Sequence, residues 1–272
     1  MGAIDYHPRD ENAMTAQAFQ WCAYDDNWNL VAEVLHHKRG TDNPHATNVQ
    51  GRLHAFPFRD YFDQKAQEEP GNKGNARKRI KQEAKPVIAE LYADYFPSLH
   101  EDIEKFSEYR RDLGLPPFAN IKETQYNSKY PKELFENIYG TELDVLMEDD
   151  CYAYIGESKN ESKLNGDGNR NLVHQLPRQY VTYTLWNAYE RVVLGKTSDL
   201  QIVPFVVAPH KKLAHLENEV QIAFMLHQEW FTKTTSPSDT HPWSVSEFIS
   251  YEELEDLRTG NAQRLNEPIL LI

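Results

Sequence analysis

The sequence predicts an α/β protein in which a mixed sheet of about four or five strands is flanked by helices. Residues 141–159 are typical of a β-hairpin, because two apolar, β-branched and aromatic runs flank an acidic turn. Residues 176–195 have the apolar spacing of a helix, and the strand-like run 200–209 follows them. Residues 244–258 indicate a short strand that leads into a closing helix.

The bulk composition excludes several classes of protein. The chain has 272 residues, a net charge of −13 and two cysteines, too few for a disulfide framework or a four-cysteine metal site. No apolar run approaches the roughly 20 residues that span a bilayer, and the N-terminus lacks the features of a signal peptide. We therefore expect a cytoplasmic protein without a membrane partner. The charge argues against a basic coat for nucleic acid but allows a local basic groove.

Residues 1–115 are expected to form a mostly helical region that serves in DNA recognition or oligomerisation. Residues 14–38 predict one or two helices, with a break at 25–27 and a stop at Gly40. Residues 51–62 fit either a short strand or aromatic packing. Four histidines in this region match no standard ligand spacing, so we expect surface positions for them: His36, His37, His45 and His54.

A dense positive cluster follows the turn at 68–74. Against the acidic background of the chain, it predicts contact with phosphate, although a solvated helix face would look the same. Its members are Lys73, Arg77, Lys78, Arg79, Lys81 and Lys85. Residues 86–96 and 99–113 then predict helices, and the break LGLPPF at 113–118, with Gly114 and a pair of prolines, marks the boundary of a second domain, 116–272.

The second domain opens with a short helix at 131–140 that carries Glu133 and Glu136 on one side. The polar loop after the hairpin carries Lys163 and Arg170, which we expect near the nucleic acid. Further predictions complete the domain. They are a helix from 176 to Gly195 with Gln175 and Gln179 at its start, an edge or bulge at Pro204, a helix at 213–231, and a capping box formed by Ser250 and Glu253.

The hairpin brings three charged side chains together. Glu157 and Lys159 are two apart on one strand and therefore share a face. If Asp149 and Asp150 are the central turn residues, residue 144 pairs with 155. Asp144 then lies diagonally across from Glu157, at roughly 7–8 Å between backbones.

Two carboxylates and an ammonium in one patch suit the hydrolysis of a phosphodiester. Asp144 and Glu157, together with the carbonyl of Ser158, could hold Mg²⁺, which offsets charge on the phosphate and the departing oxygen. Lys159 is expected to stay protonated beside two acids and to orient the attacking water.

The pattern resembles the PD-(D/E)XK nuclease superfamily, whose fold is restriction-endonuclease-like. Asp144 in ELDVLM matches the family's Asp, and Glu157 and Lys159 in YIGESK match its Glu and Lys. Leu143 stands where the signature has Pro. Gln179 with Tyr183 is similar to the Gln-x-x-x-Tyr motif of the RecB-like branch, with Gln175 the competing glutamine. The resemblance covers about residues 131–208, and it would make Glu136, or else Glu133, the helical acidic residue at the metal.

The resemblance implies a Mg²⁺-dependent deoxyribonuclease that leaves 5′-phosphate ends, with Mn²⁺ able to substitute. An endonuclease of restriction or phage-defence type, active as a homodimer, is slightly favoured over a RecB-like exonuclease. Two alternatives stay open. One is a nucleic-acid-binding or scaffold protein whose hairpin acids form a solvated turn, and the other is a metal-dependent enzyme that acts on RNA.

Overall fold

The fold was analysed in a computed structural model, which describes residues 11–40, 48–96, 138–159, 175–217 and 248–260. The helices there are α1 (Glu11–Asp25), α2 (Trp28–Lys38), α3 (Pro57–Glu68), α4 (Lys73–Tyr95), α5 (Gln175–Leu194) and α6 (Tyr251–Thr259). The strands are β1 (Gln50–Ala55), β2 (Leu143–Glu148), β3 (Tyr152–Ser158), β4 (Gln201–Ala208) and β5 (Phe248–Ser250). Residues 138–140 and 210–217 are also helical.

The five strands form one mixed sheet in the order β1-β2-β3-β4-β5. β1 pairs with β2, and β2 with β3, in antiparallel fashion, whereas β3 pairs with β4, and β4 with β5, in parallel. The parallel step from β3 to β4 is made through a chain segment that contains α5, the crossover helix that a parallel connection needs. The predicted α/β class and mixed sheet are therefore confirmed.

Helices cover both faces of the sheet. Side chains of α3, α4 and α5 bury one face in an aromatic cluster that includes Phe58, Phe62, Tyr92, Tyr183 and Trp186. Side chains of α1, α2 and α6 bury the other face in a cluster that includes Phe19, Trp28, Leu35, Tyr154, Phe205 and Leu254. Burial of apolar side chains on both faces is the main stabilising term for such a sheet. None of the described helices is long and apolar enough to cross a bilayer.

The N-terminal part of the chain contributes to the same sheet as the hairpin. Residues 51–62 were expected to form either a short strand or aromatic packing, and their first part forms β1, in which Leu53 pairs with Val145 of β2. The aromatic residues after it form α3, which begins with Pro57 in its first turn and buries Phe58 and Phe62. The predicted division at residue 115 lies outside the described residues. β1 precedes this division in the chain and β2 follows it, yet the two strands are neighbours in one sheet.

α4 corrects the prediction that a helix begins at Pro86. The helix starts at Lys73, where the Asn72 side chain accepts a hydrogen bond from the Asn75 amide, and it continues through Pro86. A proline inside a helix removes a backbone donor and costs about 3 kcal/mol. Burial of Ala84 and Ile88 on either side of it, in the aromatic cluster, offsets that cost.

Several other local predictions are confirmed. α1 and α2 are separated at residues 26–27, Gly195 follows α5 with a φ of +69°, and Ser250 and Glu253 form a complete capping box. Pro204 of β4 pairs with Ile155 of β3, but the pairing of β4 with β5 begins only at Val206. Among the described residues, Pro204 therefore has a strand neighbour on one side only, as predicted for an edge position. The predicted elements at 99–113, 131–137 and 218–231 lie outside the described residues.

Gly156 makes a close contact with the neighbouring strand. A Cβ atom built on Gly156 would lie 2.8 Å from both Cε atoms of the Phe205 ring, which is closer than side-chain atoms normally approach. The two residues are paired across β3 and β4. Gly156 therefore lets the ring of Phe205 lie flat against the strand that carries Glu157.

We expect Gly156→Ala to destabilise the fold by about 1–3 kcal/mol, because the added methyl group overpacks the strand against Phe205. The free energy of unfolding from urea titration measures the effect. Gly140→Ala is the matched control, since a Cβ at Gly140 has nothing within 4 Å. Adding Phe205→Leu should recover part of the loss, and a Gly156→Ala variant as stable as the wild type would contradict the packing argument.

Candidate functional site

The hairpin register differs from the predicted one. Val145 pairs with Gly156, and the amide of Asp149 donates to the carbonyl of Tyr152, so Asp150 and Cys151 are the central turn residues. The Asp149 side chain accepts hydrogen bonds from the amides of Cys151 and Tyr152, at 2.7 and 2.6 Å, which fixes Asp149 at the first position of the turn. The predicted pairing of residue 144 with 155 is therefore wrong.

The corrected register brings the two carboxylates closer than predicted. One step beyond the pair Val145–Gly156, Asp144 lies directly opposite Glu157. Directly opposed residues in an antiparallel pair share a face. This face of the sheet is the one covered by α5, because Leu146 and Ile155 belong to the aromatic cluster on that side.

Glu157 is the centre of the site, and its side chain is 0% exposed. The Lys159 ammonium lies 2.6 Å from Glu157 Oε1. Gln179 Nε2 donates both to Glu157 Oε2 and to the carbonyl of Glu142, the latter at 2.9 Å. The four predicted catalytic residues, including Asp144, are thus brought together.

Burial, and after it the negative charge of Asp144, raise the pKa of Glu157 from its ordinary value to about 8. Lys159 and Gln179 act in the opposite direction but are outweighed. The carboxyl group therefore holds a proton over much of the neutral range when no cation is present. A metal ion at this position would displace that proton, because the ligand must be ionised.

Asp144 and Ser158 meet at the adjoining strand edge. Asp144 Oδ2 accepts a hydrogen bond of 2.8 Å from the Ser158 amide. The Lys159 amide instead donates to Val207 of β4. Since the N–H and C=O of one strand residue point to the same side, the Ser158 carbonyl also faces the Asp144 side. This arrangement suits the predicted role of that carbonyl as a ligand.

His54 and Glu142 extend the site beyond the predicted residues. His54 Nδ1 lies 2.9 Å from Glu142 Oε1, and ligand atoms of His54, Glu142 and Asp144 lie within 4.8 Å of one another, a group that could hold a metal ion. The pairs around His54 in β1 place it beside Asp144. Its φ of +52° is an uncommon conformation for a residue other than glycine, and such outliers gather at functional sites.

The expectation of surface positions is wrong for His36, which is buried. His54 is half-buried and contacts Glu142, which the expectation did not include. His36 is 2% exposed, and its Nε2 lies 2.7 Å from the hydroxyl of Tyr154 on the opposite face of the sheet. Burial lowers the pKa of His36, so the neutral ring is favoured. His54 reaches the carboxylates only because β1 pairs with β2. Residues about 90 positions apart leave no local spacing for a motif search to find.

Tyr183 does not join the site. Its hydroxyl donates to Glu148 at the far end of β2, while Gln179, one turn earlier, contacts Glu157. The Gln-x-x-x-Tyr pair therefore connects α5 to both ends of the hairpin.

The predicted nucleic-acid residues of α4 are largely engaged with other side chains. Arg77 pairs with Asp63 at 2.7 Å, and Arg79 pairs with Glu69 and Glu83. Lys73 donates to two backbone carbonyls, and Lys81 lies over the ring of Tyr139, whereas Lys78 is exposed. Contact with phosphate stays a prediction. Lys163, Arg170, Glu133, Glu136 and the side chain of Gln175 lie outside the described residues.

An open, acidic groove of about 600 Å³ lies at the other end of the hairpin. Its lining includes Glu148, Asp150, Glu190 and Lys196 and contains none of the predicted catalytic residues.

Comparison with protein-family models, with curated proteins and with solved structures finds no match for this chain. The candidate site therefore rests on the geometry around Glu157.

The raised pKa of Glu157 predicts a dependence of stability on pH. Between the ordinary value of 4.5 and about 8, the folded chain keeps a proton that the unfolded chain releases. The stabilising contribution is thus complete below pH 4.5 and is lost as the pH rises through 8.

We expect the metal-free protein to lose stability from about pH 5 to pH 8, by up to roughly 1.4 kcal/mol per pH unit from this group, and Glu157→Gln to lose less. Urea unfolding in the presence of chelator measures both slopes. Glu255→Gln, on the exposed side of α6, should keep the wild-type slope, because hydrogen bonding to Arg258 lowers the pKa of Glu255. Equal slopes for the wild type and Glu157→Gln would refute the raised pKa.

Proposed function

We propose that this chain is a metal-dependent deoxyribonuclease of the PD-(D/E)XK type, with a restriction-endonuclease-like fold, that leaves 5′-phosphate ends. The observation that carries the proposal is the buried carboxylate of Glu157, which contacts Lys159 and Gln179 and lies opposite Asp144. A buried ionisable group with a strongly shifted pKa and a specific charge partner is a candidate for a functional site. A five-stranded mixed sheet flanked by helices is compatible with that fold.

The donor set suits a divalent cation. Asp144, Glu157 and the carbonyl of Ser158 offer oxygen ligands, which Mg²⁺ prefers. The adjoining His54 offers a nitrogen that would favour transition metals, in keeping with substitution by Mn²⁺. When bound, the cation would polarise the phosphate and activate a water.

The side chains of the chain itself have separate tasks in this proposal. Lys159 carries a positive charge beside the reacting phosphate, where it offsets the negative charge that develops in the transition state. Gln179 fixes the second oxygen of Glu157 and so orients the carboxylate toward Asp144. Asp144 is held in turn by the Ser158 amide. Both ligand carboxylates are therefore oriented by a second contact, which is typical of functional metal sites.

An endonuclease of restriction or phage-defence type, acting as a homodimer, is favoured. One observation keeps the RecB-like exonuclease as the second candidate. Gln179, the residue that resembles the glutamine of that branch, is the one that contacts Glu157. Cleavage of linear against covalently closed circular DNA separates the two, because an exonuclease needs an end.

We expect Asp144→Asn and Lys159→Ala to lower the rate of plasmid nicking with Mg²⁺ by at least about 100-fold, because each removes a charge that the transition state requires. Chelator should abolish nicking, and Mg²⁺ or Mn²⁺ should restore it. Asp150→Asn, in the exposed hairpin turn, is the control that should keep full activity. Circular dichroism verifies that each variant is folded. A folded Asp144→Asn variant that nicks at the wild-type rate would refute the proposal, and cleavage of RNA in preference to DNA would redirect it.

A further prediction concerns the basic side of α4. If Lys78, an exposed member of the cluster, contacts phosphate, Lys78→Ala should weaken DNA binding and reduce the slope of log affinity against log salt by about 1. Cleavage by the bound enzyme should not change. Arg77→Ala, which removes a residue already paired with Asp63, should reduce the slope less. An unchanged slope for Lys78→Ala would remove α4 from the DNA interface.

A further inference from the structure

Arg178 is a cation at the site that the sequence analysis did not single out. It lies in the first turn of α5, immediately before Gln179, and it is half-buried. Its Nε atom is buried and has no hydrogen-bond partner among the described residues. A buried donor without an acceptor costs about 1–3 kcal/mol, so such an atom needs an explanation.

Arg178 is the neighbour in α5 of Gln179, whose side chain contacts Glu157, and its charge interacts with that of Glu157. Burial lowers the pKa of the Arg178 guanidinium, and the charge of Glu157 acts in the opposite direction. Within the described part of the chain, however, Arg178 makes no ion pair. Both oxygens of Glu157 are already in contact with Lys159 and Gln179. Arg178 is therefore close to the carboxylate centre without being used to neutralise it.

Arg191, at the other end of the same helix, shows the contrast. Its Nε atom is also buried without a partner, but its terminal nitrogens bind the hydroxyl of Tyr95 and, at 2.9 Å, the carboxylate of Asp199. Arg191 thus has acceptors within the fold. Among the described residues, Arg178 has none.

The guanidinium group of Arg178 determines which kind of ligand could accept its hydrogen bonds. Its planar fork matches two oxygens of a carboxylate or phosphate, and it does so best where water is excluded. The first turn of a long helix adds partial positive charge at the same place. Lys159 pairs with Glu157, and the charge of Arg178 interacts with the same carboxylate, so the site has two cations, an arrangement that suits an anion bound next to a metal ion.

We propose that Arg178 binds a non-bridging oxygen of the substrate phosphodiester and holds the phosphorus in place beside Glu157. This inference rests on the proposed nuclease function and adds a substrate-binding residue to it. In this role Arg178 fixes the phosphate and offsets its charge, while Lys159 orients the attacking water and a bound cation would offset charge on the leaving oxygen.

Three variants and two measurements test this role. Binding of a short double-stranded DNA oligonucleotide is measured by fluorescence anisotropy with Ca²⁺ in place of Mg²⁺, and Mn²⁺ affinity is measured separately without DNA. We expect Arg178→Ala to bind the oligonucleotide about 10- to 100-fold more weakly and Arg178→Lys to recover only part of the loss, because a charge remains but the fork does not. Mn²⁺ affinity should stay at the wild-type value. Arg191→Lys, the matched control in α5, should change neither.

The outcomes separate this inference from the function on which it rests. Wild-type affinity for the oligonucleotide in Arg178→Ala, or lost Mn²⁺ affinity in a folded variant, would overturn the phosphate contact. If Arg178→Ala does not fold, Arg178→Lys decides, and unchanged binding in that variant counts against the inference. The wild-type protein could also bind DNA through Arg178 and yet cleave no DNA. That result would support the phosphate contact and refute the nuclease function.

Discussion

The burial of one carboxylate, that of Glu157, is the constraint on which the rest of the site depends. A carboxylate taken fully out of water is unfavourable unless cations or donors surround it. Here Lys159 and Gln179 do so, and yet burial and the charge of Asp144 still raise its pKa to about 8. The fold therefore keeps a buried carboxyl group whose protonated form is favoured near neutral pH, and a strongly perturbed group of this kind is a candidate for a functional site.

The helix α5 connects this centre to the remainder of the hairpin. Gln179 contacts Glu157 near one end, and Tyr183, a turn later, contacts Glu148 near the other. The aromatic side chains beside them bury the sheet face on which both carboxylates lie. Packing of the core and orientation of the site are thus produced by the same helix. Displacing α5 would disturb both together.

The sequence predicted most of this arrangement, because its signals were local. Alternation in the hairpin gave the shared face of Glu157 and Lys159, and helical spacing placed Gln179 at the start of α5. The errors arose where distant segments meet. The pairing of residue 144 depended on Asp149, whose side chain fixes the turn one residue later than assumed. His54 reached the site only through pairing of β1 with β2, for which the sequence has no local pattern.

The left-handed backbone of His54 has a consequence for assembly. β1 is an outer strand of the sheet, and an outer strand offers unpaired amides and carbonyls to any strand that approaches it. A residue with φ of +52° in such a strand interrupts the regular alternation of those groups. A second copy of the chain could not extend the sheet continuously along this border. Among the described strands β5 is the other outer strand, so self-association by strand pairing would be expected at β5 rather than along β1.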